Sequence, residues 1–119
     1  MKKITGLPTG ARLSVLLAVF FGLATCAASF DSLRLPEQLV ERGVVPQGVS
    51  IESLRRGRAL ALAECKECHR FRLPDEYPPG AWPGIVRDMG AQASLNDGQI
   101  GDLEAYFVSA SKAARLPPR

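Results

Sequence analysis

Cys65-Lys66-Glu67-Cys68-His69 is the place in this 119-residue chain where soft nucleophiles and an imidazole fall together. It holds the only histidine and two of the three cysteines. Two thiols three positions apart on one helical turn can each add to a vinyl group of a porphyrin. The residue that follows the second thiol is then placed under the iron. C-x-x-C-H is the spacing that this chemistry requires. It predicts one covalently attached haem c, with Cys65 and Cys68 as the thioether links and His69 as the proximal axial ligand.

Other uses of these residues fit less well. A structural zinc site takes four Cys or His ligands, and no second ligand pair is available. A redox-active C-x-x-C belongs in a βαβ context, which the chain does not offer. A disulfide between Cys65 and Cys68 would leave His69 unexplained. No glycine-rich phosphate loop is present, and a Ser-His-Asp set would have to use His69 itself.

A second axial ligand must come from elsewhere. With one histidine, bis-histidine ligation within a monomer is excluded. Met1 is lost with the leader described below, which makes Met89 the candidate thioether. The alternatives are Asn96 or Lys112 as donor, an open site, or a Met89 that only fills the core. Arg70, Arg72, Tyr77 and Trp82 are candidates to hydrogen-bond or pair with haem propionates. A core role for Trp82 and solvated charge for the arginines are the competing readings.

Short helices must position these groups. Ser50 is placed to cap a helix whose stripe is Ile51, Leu54, Arg58, Ala61, Leu62 and Cys65. That stripe delivers Cys65 at the helix's C-terminal end. Residues 70–80, RFRLPDEYPPG, are proline-rich and predicted irregular. Trp82, Ile85, Val86, Met89 and Ala93 form a second helical stripe, with Pro83 at an early position where its missing N–H costs nothing. Asn96 or Asp97 caps a last helix carrying Ile100, Leu103, Tyr106, Phe107 and Ala110. No stretch alternates with period two, so the fold class expected is all-α.

The first 28 residues read as an export signal, with Lys2, Lys3 and Arg12 ahead of the uncharged run Leu13 to Ala24 and small residues after it. A retained anchor is the alternative. Leu23-Ala24-Thr25-Cys26 resembles a bacterial lipoprotein box, so either Cys26 is lipidated or it is discarded with the signal. Residues 29–49 are expected to be a linker or arm with a helical turn near Pro36 to Arg42, residues 50–113 the domain, and 114–119 a tail. The formal charge of +3 resides in the leader: without Lys2, Lys3 and Arg12, the fifteen basic side chains become twelve, against twelve acidic ones. A neutral mature chain lacks the clustered positive excess that nucleic acid requires. It is expected to face the periplasm, and to touch a membrane only through a lipid or an uncleaved signal.

Gly57-Arg58-Ala59-Leu60 leading to the C-x-x-C-H motif, then Trp82 and Met89, then Ile100 and Tyr106-Phe107, resembles class I cytochrome c over about residues 50–111. The layout is similar to that of the haem subunit of bacterial sulfite dehydrogenase. The resemblance implies a compact three-to-four-helix fold around one haem, in which a proline after the motif offers its carbonyl to the proximal histidine. Pro74 is the candidate, ahead of Pro78. Gly57 and Tyr106-Phe107 match the crossing of the first and last helices. The implied role is a monohaem electron carrier with redox donor and acceptor proteins as partners, and no catalysis of its own. The alternatives are a subunit or docking module of a periplasmic dehydrogenase or oxidase, or a ligand-binding haem protein if Met89 does not bind iron.

Overall fold

Ser50 and Asn96 begin the two longest helices by the same device. The Ser50 hydroxyl accepts the Ser53 N–H at 3.1 Å, and Asn96 Oδ1 accepts the Gln99 N–H at 2.9 Å. Gln99 returns the bond by accepting the Asn96 N–H at 2.9 Å, which completes a capping box. The computed structural model describes residues 33–65 and 70–118. Among them are four α-helices: α1 (Pro36–Glu41), α2 (Ile51–Glu64), α3 (Trp82–Gln92) and α4 (Asp97–Ala114). Two 3₁₀ turns, Pro74–Glu76 and Pro79–Ala81, lie between α2 and α3. No strand occurs among the described residues, and the fold is all-α. The export signal, Cys26, Cys68 and His69 lie outside the described residues.

The core is built mainly on α4. Leu103, Tyr106, Phe107, Ala110 and Ala113 are buried there against Leu54 and Ala61 of α2 and Trp82 and Val86 of α3. Trp82 stacks on Phe107 with ring centroids 4.2 Å apart, and Tyr77 meets the Trp82 ring edge-on at 5.6 Å. The buried line of α2 is Leu54, Gly57 and Ala61 rather than the whole stripe read from the sequence. Leu62 is exposed, and Ile51 and Arg58 are only partly covered. The reason is the crossing. A side chain at Gly57 would overlap the backbone carbonyl of Asp102 and crowd Tyr106 Cβ at 2.9 Å, so α2 and α4 touch backbone to backbone there. That contact sets which side of α2 faces inward.

Asp102 clamps the crossing from the flank. It accepts the Ser53 hydroxyl at 2.6 Å and two guanidinium bonds from Arg56, at 2.6 and 3.0 Å. Arg56 first, with Ser53 adding to it, holds the Asp102 carboxyl below the usual carboxylate range against the opposing effect of burial. Because the folded pKa is lowered, this clamp stabilises the fold fully above the unfolded carboxylate pKa and is lost as pH falls through the folded value. Asp102→Asn is therefore expected to lower the thermal midpoint at neutral pH and to flatten its acid decline. Melting curves from pH 7 down to pH 3 check this, and an unaltered acid slope would rule it out.

Residues 33–49 are laid along the body. Leu33 and Leu39 are buried, each contributing roughly 1.5–3 kcal/mol by removal from water. Tyr106 donates its hydroxyl to the Arg34 carbonyl at 3.2 Å, and Arg42 donates to the Pro117 carbonyl at 2.8 Å. Burial pushes the Tyr106 hydroxyl up to about 12, so it stays a neutral donor to this arm. No helix of the described residues is long and apolar enough to cross a membrane.

Candidate cofactor site

Cys65 is the cap residue at the C-terminal end of α2, its N–H bonded to the Ala61 carbonyl at 3.3 Å. The helix that Ser50 starts thus ends where the motif begins. The thiol is half-buried, and burial first, then the neighbouring charge of Glu64, pushes its pKa up. It opens onto a cleft of about 230 Å³, whose other walls come from α3 and α4. Val86 and Met89 of α3, Leu95 of the α3–α4 turn and Leu103 of α4 line it together with Cys65 and Glu64.

Cys65 and Met89, far apart in sequence, therefore line one cleft. Gly90 makes the wall possible. A Cβ there would sit 2.7 Å from Ile100 Cγ1, so the missing side chain lets α3 lie close on α4. Val86, one turn before Gly90, is buried, and Met89 remains partly exposed on the cleft side. Two sulfur side chains thus face one mostly apolar cleft. It suits a flat apolar cofactor tethered through the Cys65 thiol, with Met89 as a thioether donor to its metal, and the motif's Cys68 and His69 would add a second thiol and an imidazole. Among the described residues, no three His, Cys, Asp or Glu side chains gather as they would around a bare metal ion.

The segment after the motif supplies its own protein partners for these groups. Trp82 is fully buried, and its indole N–H donates to the Pro74 carbonyl at 3.1 Å. Its stacking on Phe107 makes it a core aromatic, and that one donor is not available to a propionate. Pro74 is buried, and its carbonyl already accepts this bond. Arg70 makes two 3.0 Å bonds to Glu76, and Arg72 lies 3.6 Å from the same carboxylate. Tyr77 packs on Trp82, with the Arg72 guanidinium 5.9 Å from its ring centroid. Both arginines thus have a protein carboxylate as partner.

Neither alternative axial donor lines the cleft. Asn96 is engaged in its cap, and Lys112 is exposed in the last turn of α4. Sequence reasoning missed Glu76. Its carboxylate also accepts the Leu73 N–H at 2.9 Å. That bond first, then Arg70 and Arg72, holds its pKa below the usual range against the effect of burial. The far end of the segment is tied to α4, where the Ser111 hydroxyl donates to the Tyr77 carbonyl at 2.8 Å and is itself held by Arg115 at 2.7 Å. A glutamate three residues after Leu73, just behind a proline, is the local signal that could have exposed this turn.

No family model matches the chain, and no solved structure matches it. Over 43 residues it is 37% identical to the cytochrome c-type protein TorY of Escherichia coli O157:H7. That stretch is 36% of this chain and 12% of TorY, so the chain covers only a small part of that relative's length.

Proposed function

We propose that this chain is a monohaem c-type cytochrome, an exported carrier of single electrons with no catalysis of its own. The observation that carries the reading is the shared cleft. The helix ending in the C-x-x-C-H motif presents Cys65 to the same apolar space as Met89. The partial similarity to a cytochrome c-type protein supports the class of cofactor.

Haem c, when bound, supplies the exchange between ferric and ferrous iron. Cys65 and Cys68 would hold it through thioether links, and His69 and Met89 would ligate its iron. The Pro74 carbonyl keeps a second lone pair beside the Trp82 bond, and it would accept the remaining ring N–H of an iron-bound His69. Val86, Leu95 and Leu103, which line the cleft, would keep water from the metal and so limit solvent rearrangement when its charge changes. Met89 would give a neutral, soft ligand that favours the reduced state. The leader places this chemistry in the periplasm or on a membrane facing it.

The intact mass and visible spectrum of the full chain, expressed with a haem-attachment system, test the proposal. The expected result is one covalent haem, with low-spin bands in both oxidation states. Cys65→Ser with Cys68→Ser should carry none. A wild-type mass that matches the bare polypeptide under the same conditions would overturn the reading.

A further inference from the structure

Residues 70–77 fold around one carboxylate. Glu76 accepts the Leu73 N–H and two bonds from Arg70, and it lies 3.6 Å from Arg72. Its side chain is only 21% exposed, whereas that of Arg70 is 68% exposed. Arg70 directly follows His69, and Arg72 is two residues further on. The sequence thus places two guanidinium charges within three residues of the imidazole, and the Glu76 carboxylate lies against both.

An exposed ion pair adds little to stability, so stability alone is a poor reason to cover a carboxylate here. The backbone bond to Leu73 indicates another role. It fixes the turn that ends at Pro74, whose carbonyl anchors Trp82. One side chain thus joins the residue after His69 to the start of the buried aromatic cluster.

We propose that Glu76 is a positioning residue for the redox centre: it fixes the segment that follows His69 and balances Arg70 and Arg72, and so sets the local charge against which the iron is reduced. This rests on the haem reading above. Reduction removes one positive charge from the centre. A nearby carboxylate therefore favours the oxidised state, and a nearby guanidinium favours the reduced one.

The test is the midpoint potential of the haem-loaded full chain in four forms: wild type, Glu76→Gln, Arg70→Gln and the double variant. Glu76→Gln is expected to shift the potential upward and Arg70→Gln downward, with the double variant returning close to wild type. A purely structural role would loosen the site in both single variants, moving both potentials in the same direction and the double variant further still. That pattern, or no shift in any variant, would overturn the proposal. If Glu76→Gln fails to load haem, loading restored in the double variant supports the charge-balancing role, and loading lost there as well refutes it. A wild-type chain that carries no haem refutes the functional reading instead.

Discussion

Gly57→Ala should cost about 3 kcal/mol or more, because the added methyl meets backbone rather than a movable side chain. The Asp102 carbonyl cannot turn away without distorting α4. Relief then requires α2 and α4 to separate, which uncovers Leu54, Ala61, Tyr106 and Phe107 together. For a domain whose total stability is on the order of 5–15 kcal/mol, that loss lowers the melting point by at least about 10 °C. Gly101→Ala is the control. Nothing lies within 4 Å of a Cβ at that position inside α4. Removing glycine from a helix interior there should be neutral or stabilise by up to about 1 kcal/mol. Thermal denaturation of the two variants should thus move in different directions. A Gly57→Ala protein as stable as its Gly101→Ala counterpart would show that the helices do not meet at Gly57.

Met89→Ala should change the cofactor chemistry most. With Met89 as the sixth ligand, wild-type oxidised protein shows the weak near-infrared sulfur-to-iron band. The variant loses that band, binds carbon monoxide when reduced, and has a lower potential if water or hydroxide takes the open position. Met89→His should keep low-spin iron and lower the potential as well. The truncation also removes part of a cleft wall that is already partly open, so its cost to folding should be smaller than that of emptying a closed core site. A wild type without the band, together with a Met89→Ala spectrum and potential unchanged from it, would mean that Met89 only fills space. The chain would then be read as a ligand-binding haem protein.

Local signals in the sequence carried far, and their reach has a physical limit. The caps at Ser50 and Asn96 depend on groups three residues apart, and both form as their residue types require. The stripe Leu103, Tyr106, Phe107 and Ala110 is buried because four residues at helical spacing leave one choice of inward face. On α2 the stripe was broad enough to allow two choices, and contact with α4 at Gly57 turned Leu62 outward. The arm could not be assigned to the core, since a six-residue helix has too short a period to show which face Leu39 occupies. Trp82 and the two arginines each kept two readings for a related reason. Their types suit propionates equally well, and only the tertiary turn that brings Pro74 and Glu76 beside them decides the partner.

The partner that α2 needs at Gly57 lies beyond α3 in the sequence. A growing chain therefore exposes Leu54, Gly57 and Ala61 until α4, Asp97–Ala114, has been synthesised and can dock. Until then, the cleft beside Cys65 lacks its α4 wall, Leu103. Docking of α4 brings Leu103 across the cleft and, through Ser111 and Arg115, ties down the segment that follows the motif. Closure of the cleft at Cys65 is thus coupled to the docking of α4, and a chain in which α4 has not docked leaves that half-buried thiol more open than the folded one.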